Sequence, residues 1–196
     1  MSKNTIKRSL RFSISIAVIT FVLAAIFSII SNNALDGTTW SIGLLIVIII
    51  VFIGVFFDMM GIAAAAATET PFHAMASEKV TGAKHAIIIV RNADRFASFC
   101  NDVIGDIAGV VSGVAAMIVV IELMNVIELG QPVLNTILTS IVAALTVGGK
   151  ALGKTLAMSN STQIILMVGK ILYFVETKLH IKVLPNLKKK NKKQEI

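Results

Sequence analysis

The sequence has few of the residues and motifs that mark secreted, metal-thiolate and enzymatic proteins. Its one cysteine, Cys100, excludes an internal disulfide, and no second cysteine or nearby histidine completes a thiolate zinc site. Only 15% of the residues are charged, and there are one tryptophan, one tyrosine and three prolines. The GxSxG, HExxH and GxGxxG patterns of hydrolases, metalloproteases and dinucleotide enzymes are absent. We therefore expect neither an enzyme nor an organic cofactor.

Positive charge is also missing from long parts of the chain. All 18 lysines and arginines lie within residues 3–11, 79–95 and 150–193, so the loops NNALDGTTW and VIELGQP have none. Lysine and arginine collect on the side of a membrane that is not translocated. We therefore expect both termini and the central loop to be cytoplasmic. The net charge of +7 follows this pattern, and the tail LKKKNKKQEI suits anionic lipid headgroups but lacks aromatic residues for stacking on nucleic acid bases.

Long apolar runs separate the charged regions, and hydrophobic residues make up 56% of the chain. About 20 apolar residues, rising about 1.5 Å each, cross the hydrocarbon core of a bilayer. Four runs qualify or nearly do: residues 12–31, 40–57 with the alanines that follow, 103–126 and 132–149. A signal peptide is a weaker interpretation of the first run, because SNNALDG lacks a clear small-x-small cleavage site. The sequence predicts an all-α integral membrane protein with four transmembrane helices, multi-pass in the plasma (inner) membrane.

Two further segments predict helices that lie along the membrane surface. Apolar residues recur three or four apart over residues 72–90, which is the periodicity of an amphipathic helix. We expect this helix to start at Thr70 and Pro71 and to end at Asn92, with Asp94 capping the next helix. Residues 162–181 are also apolar but contain Lys170, and a fifth crossing would place the lysine-rich tail outside. We predict a second interfacial helix there, with a fifth span as the alternative.

Small residues predict close packing between helices. Gly105, Gly109 and Gly113 recur every four residues in the third span and so share one helix face. Close approach of backbones at such a face is a main source of helix association in lipid. The partner helix is either in the same chain or in a second copy. The five alanines at residues 63–67 offer a similarly smooth surface.

Acidic residues near the second and third spans are candidates for a cation site, because ionisable groups at membrane depth are costly and often functional. Asp58 lies near the predicted inner end of the second span, and Asp102 and Asp106 lie four residues apart near that of the third. Carboxylate, amide and hydroxyl oxygens are ligands that suit Mg²⁺ or Ca²⁺. The predicted ligands are Asp58, Asn101, Asp102, Asp106 and Ser112. Alternatively, these acids lie among the headgroups, solvated or paired with Arg95 and Lys154.

Four sequence phrases follow one another in an order found in a known family. They are FFDMMGIAAAAATE, ASEKVTGAKHAIIIVRNADRF, VIGDIAGVVSG and GGKALGKTLAMSN, and together they resemble the transmembrane domain of the CNNM and CorB/CorC family. The resemblance implies a family-like domain over residues 41–181, preceded by a cytoplasmic N-terminus and an added first transmembrane helix over residues 1–40. The composition of residues 182–196 predicts a basic disordered tail. The resemblance also implies a homodimer that moves Mg²⁺, held in a three-helix bundle by serine, asparagine and glutamate side chains and by backbone carbonyls.

The chain departs from the family pattern at the ion site. The resemblance puts the family's serine-rich segment near Asp58 and Met60, its Gly-Asn pair at Gly105 and Asp106, its glutamate at Lys150 and its proline at Gly153. The family's Ser, Asn and Glu sum to a charge of minus one, as do Asp58, Asp106 and Lys150 here. Either the site has been rebuilt around carboxylates, or the ammonium of Lys150 has replaced the ion.

These observations leave three functions open. The first is transport or efflux of a divalent cation, above all Mg²⁺, through the acidic site. The second is a non-transporting membrane scaffold or regulatory partner in which Lys150 occupies the former cation site. A holin-like pore is a weaker third, suggested by the small size and the lysine tail. A basic tail stands where the family continues into paired CBS modules, so nucleotide control would come from a cytosolic regulatory partner.

Overall fold

The fold is all-α, as predicted, in a computed structural model that describes residues 3–127 and 130–179. Four of its helical stretches are long and apolar enough to cross a membrane: Ser13–Leu35, Trp40–Ala66, Ala93–Leu123 and Gln131–Ser159. Helices form here because, in hydrocarbon, every backbone N–H and C=O must find its partner within the segment. The basic tail predicted over residues 182–196 lies outside the described residues.

The described residues form eight α-helices and one π-helical segment. The α-helices are α1 (Lys3–Leu35), α2 (Trp40–Ala66), α3 (Glu69–Ser77), α4 (Ala83–Arg91), α5 (Ala93–Ser98), α6 (Asp106–Leu123), α7 (Gln131–Ser159) and α8 (Ser161–Leu179). The π-helical segment, Phe99–Gly105, joins α5 to α6 without a break. The third and fourth spans are longer than their apolar runs because a helix does not have to end where the hydrocarbon ends. Pro132 begins α7, where its missing N–H has no helical partner to lose.

The surface segment before the third span is two helices, so the prediction of one continuous helix over residues 72–90 is wrong. Lys79 and Gly82 have positive φ angles of 58° and 84° between α3 and α4. Gly82 lies against Gly169 of α8, and a Cβ atom built on Gly82 would lie 2.5 Å from the backbone nitrogen of Lys170. Both the positive φ and the close contact with α8 therefore favour glycine at this position, just before α4 begins.

The predicted ends of the surface segment are partly correct. α4 ends at Arg91 with Asn92 as its C-cap, and the Asn92 backbone N–H donates to the Ile88 carbonyl at 3.2 Å. The segment starts slightly earlier than predicted, with Thr68 as the N-cap of α3. Asp94 does not cap α5; it lies in the first turn, and Asn92 is the N-cap.

The apolar faces of α3, α4 and α8 pack on the protein. Phe72, Ala86 and Ile165 are 0% exposed and share one core cluster with Ala63 and Ala64 of α2. The smooth packing surface expected of the alanine run is therefore found at Ala63 and Ala64, whereas Ala65 and Ala66 are exposed. α8 has three charged residues, Lys170, Glu176 and Lys178, and is not among the four candidate spans.

Helix α2 is central, and glycines set how closely its neighbours approach. A Cβ atom on Gly54 would lie 2.8 Å from Ala108 of α6, and one on Gly149 of α7 would lie 2.9 Å from Val55. By contrast, a Cβ atom on Gly109 or Gly113 would meet nothing within 4 Å in the described part of the chain. Among the described residues, the predicted glycine face therefore packs only at its Gly105 end.

Candidate functional site

The clearest polar cluster within the bundle joins three helices at Lys150. The Lys150 Nζ atom of α7 lies 3.6 Å from Oδ1 of Asp58 on α2 and 3.9 Å from Oδ1 of Asp106, the first residue of α6. Two residues predicted as cation ligands therefore meet around the lysine predicted to modulate the site. We call Asp58, Asp106 and Lys150 the charge cluster.

Glycines make room for the charge cluster. A Cβ atom on Gly105 would lie 3.7 Å from both Asp58 Oδ1 and Lys150 Nζ, so a larger side chain would crowd the space between them. Gly149, next to Lys150, allows α7 to approach Val55 of α2. Gly105 thus lies beside the charge cluster as well as on the predicted glycine face.

The three side chains differ in exposure. The Asp58 side chain is 14% exposed, that of Lys150 29% and that of Asp106 70%. Both Lys150 distances exceed the range of a hydrogen bond, so the ammonium is attracted to the two carboxylates without being bonded to either. The formal charges leave the cluster at minus one. The site therefore has a net negative charge, one largely buried acid (Asp58) and one exposed acid (Asp106).

The other predicted ligands do not join Lys150. Asp102 is exposed and forms no ion pair within the described residues. It precedes Asp106 by four residues, but it lies in the π-helical segment, where the wider turn removes the usual α-helical stacking of such pairs. Ser112 is 1% exposed and donates its hydroxyl proton to the Gly109 carbonyl of its own helix at 2.9 Å.

Asn101 lies against α2 at a different place. A Cβ atom on Gly61 would collide with the Asn101 side-chain amide, and Asn101 Oδ1 is a buried acceptor to which no donor among the described residues bonds. Over residues 3–127 and 130–179, no three or more His, Cys, Asp or Glu side chains are grouped to hold a metal ion. Of the predicted ligands, only Asp58 and Asp106 meet at the charge cluster.

Sequence reasoning missed two features. Residues 148–155, GGKALGKT, match the phosphate-binding-loop pattern GxxxxGK[ST], but they lie inside α7, where backbone N–H groups bond within the helix. That pattern needs a loop between a strand and a helix to bind phosphate. The second feature is a contact between His85 of α4 and Glu176 of α8 at 2.6 Å, with Tyr173 edge-on to the imidazole. Residues so far apart in the sequence carry no local signal of pairing.

The fold and the charge cluster define a class: an all-α, multi-pass membrane protein in which three helices share two carboxylates and one ammonium. Comparison with known proteins adds no closer identity, since no protein-family model, curated protein or solved structure matches the chain.

Proposed function

We propose that the chain binds a divalent cation, most readily Mg²⁺, at the charge cluster and moves it across the membrane as a homodimer similar to the CNNM and CorB/CorC transmembrane domain. One observation carries the proposal: carboxylates from two different helices converge on Lys150, at 3.6 and 3.9 Å. Acidic groups gathered inside a helical bundle commonly mark ion pathways. The plasma membrane and a cytosolic regulatory partner remain part of the proposal.

The ligand chemistry of the charge cluster suits Mg²⁺. Proteins often hold this ion through one or two carboxylates while it keeps several of its waters. Asp58 and Asp106 supply two carboxylates, and the minus-one charge of the cluster attracts a further cation. Because Lys150 hydrogen-bonds to neither acid and has a flexible four-carbon stem, its ammonium can withdraw when the ion enters. Lys150 then acts as a tethered competitor that is displaced in each transport cycle.

The exposures suggest an order of events. Asp106, at 70% exposed, meets the ion first, and Asp58, at 14%, holds it deeper in the bundle. The glycine contacts of α7 with α2 leave smooth surfaces along which the two helices shift during alternating access.

The rival function is a non-transporting scaffold. Lys150 already lies between the two acids, and no larger group of metal-binding side chains forms among the described residues. In this function the charge cluster is a permanent ion pair that fixes the relative positions of α2, α6 and α7.

Mg²⁺ flux into proteoliposomes tests the transport proposal. Asp58→Asn and Asp106→Asn are each expected to abolish flux while insertion and dimerisation are retained. Asp94→Asn is the matched control, because this exposed acid lies outside the charge cluster. Unchanged flux in both cluster variants would rule out the site.

Calorimetric titration separates the two functions. In a transporter, Lys150→Met removes the competing ammonium, so Mg²⁺ should bind more tightly than it does to the unaltered protein, and Asp106→Asn should weaken binding. In a scaffold, neither the unaltered protein nor the Lys150→Met variant binds Mg²⁺ measurably.

A further inference from the structure

A second site lies on the other side of α2, away from the charge cluster. An open cavity of about 610 Å³ is lined by residues of α2, α4, α5, the π-helical segment and α8. Its size falls within the range of about 300–1,000 Å³ typical of ligand pockets. Four phenylalanines line it: Phe56, Phe57, Phe96 and Phe99. Of the described residues around it, only Asn92 and Arg95 contribute a polar side chain that is not a thiol, and none is acidic.

Arg95 is the charged group of this cavity, and no described residue pairs with its side chain. Within the described part of the chain its guanidinium makes neither a hydrogen bond nor an ion pair. Arg91, one helical turn earlier, is instead paired with Glu69 at 2.8 Å. An exposed, unpaired cation beside an aromatic pocket complements a molecule with an anionic end and an apolar body.

The position of the cavity identifies the source of such a molecule. Arg95 is the third residue of the spanning stretch Ala93–Leu123, which is where a membrane helix meets the lipid headgroups. Phe56, Phe99 and Ile171 on the cavity wall are 43%, 42% and 51% exposed, so the cavity opens on the outer surface of the bundle. In a bilayer that surface faces lipid.

We propose that this cavity binds an anionic phospholipid, with one acyl chain among the phenylalanines and the headgroup phosphate on Arg95. Arginine pairs with phosphate through two parallel N–H donors, which fix the orientation of the phosphate in addition to the charge attraction. The five elements that meet at the cavity include two of the surface helices, α4 and α8, so the lipid would hold these helices against the spanning bundle. This inference does not depend on cation transport.

Native mass spectrometry of the purified full-length protein, titrated with phosphatidylglycerol or phosphatidylcholine of the same acyl chains, tests the proposal. The unaltered protein should prefer phosphatidylglycerol by about fivefold, the effect of one cation near an anionic headgroup. Arg95→Gln should abolish the preference, whereas Lys154→Gln, which removes an exposed charge outside the cavity, should retain it. Equal binding of both lipids by the unaltered protein, or equal effects of the two substitutions, would overturn the proposal.

Two further experiments test the cavity itself. Ile171→Trp adds bulk at an exposed wall position and should weaken binding of both lipids. If it instead disrupts self-association and leaves lipid binding unchanged, a second copy covers the cavity and the proposal is wrong. Inorganic phosphate should not displace phosphatidylglycerol, because the acyl chain supplies much of the affinity; displacement would indicate a simple phosphate site and would also overturn the proposal.

Discussion

Replacing Lys150 with methionine removes the one positive charge of the charge cluster and keeps most of the side-chain length. Asp58, only 14% exposed, then loses the ammonium 3.6 Å away and faces Asp106 without a cation between them. At an effective dielectric constant of about 20, a pair at that distance interacts by about 4–5 kcal/mol before desolvation is counted.

The net effect is smaller than this Coulomb figure. Removing one partner of a buried ion pair costs about 3–5 kcal/mol, whereas an exposed pair contributes about 0–1 kcal/mol. The pair of Lys150 with Asp58 resembles a buried ion pair, whereas the pair with Asp106, which is 70% exposed, resembles an exposed one. We therefore expect Lys150→Met to destabilise the folded bundle by about 2–4 kcal/mol, most of it through Asp58.

Thermal unfolding of the purified protein in detergent measures this change. At about 2–4 °C per kcal/mol for a chain of this size, the melting temperature should fall by about 5–15 °C. The double variant Asp58→Asn with Lys150→Met should recover at least half of the loss, because the unpaired carboxylate is gone. Mg²⁺ at about ten times its Kd should restore about 1.4 kcal/mol to the single variant if the freed carboxylates bind it.

Lys154→Met is the matched control, since Lys154 lies one turn away on α7, is exposed and makes no ion pair within the described residues. It should change stability by less than about 0.5 kcal/mol. Equal melting temperatures for the Lys150 and Lys154 variants would refute the reasoning, because the charge cluster would then contribute nothing to the fold.

Three further outcomes follow from contacts elsewhere in the chain. Gly61→Ala should lower the melting temperature by the equivalent of about 1–3 kcal/mol, because its Cβ atom would collide with the Asn101 amide; Gly109→Ala, which meets open space, should be nearly neutral. Gly109→Leu should weaken dimerisation, measured by crosslinking in detergent, if the open glycine face contacts a second copy, and an unchanged dimer would exclude that face. The hydrogen bond from Arg91 lowers the pKa of Glu69 from its usual 4.5, so this pair stabilises the fold above that pH and the contribution is lost as the pH falls through the lowered pKa. Because Glu69 is 37% exposed, the effect is below about 1 kcal/mol. The Glu69→Gln variant should show a smaller fall in melting temperature as the pH is lowered through the pKa of Glu69.

Some predicted helix boundaries were wrong because they were placed at the ends of apolar runs. A helix extends as far as its backbone hydrogen bonds continue, which can be beyond the apolar run. The third span was expected from residue 103, yet the helical stretch begins at Ala93 and passes through a π-helical segment. A change of helix type has no clear signature in FCNDVIG, and it changes which acids face Lys150. That is why Asp106 lies beside Lys150 and Asp102 does not.

The prediction of one continuous helix across α3 and α4 failed for a different reason. The apolar periodicity of residues 72–90 is compatible with one helix, and a single glycine inside such a pattern is tolerated. The chain leaves the helix after Ser77, and at Gly82 it has a positive φ and lies so close to α8 that a Cβ atom would collide with the α8 backbone. No local pattern contains that contact.

The sequence by itself determined the all-α membrane class and the number of candidate spans, because burial in lipid depends on the composition of each segment alone. Tertiary structure decided that Asp58 and Asp106 lie within 4 Å of Lys150, that Ser112 bonds within its own helix, and that an aromatic cavity forms beside Arg95. These features depend on how each helix is rotated and how closely glycines let it approach its neighbours. Rotation and approach are set jointly by all the helices in contact, so no single segment of the sequence encodes them.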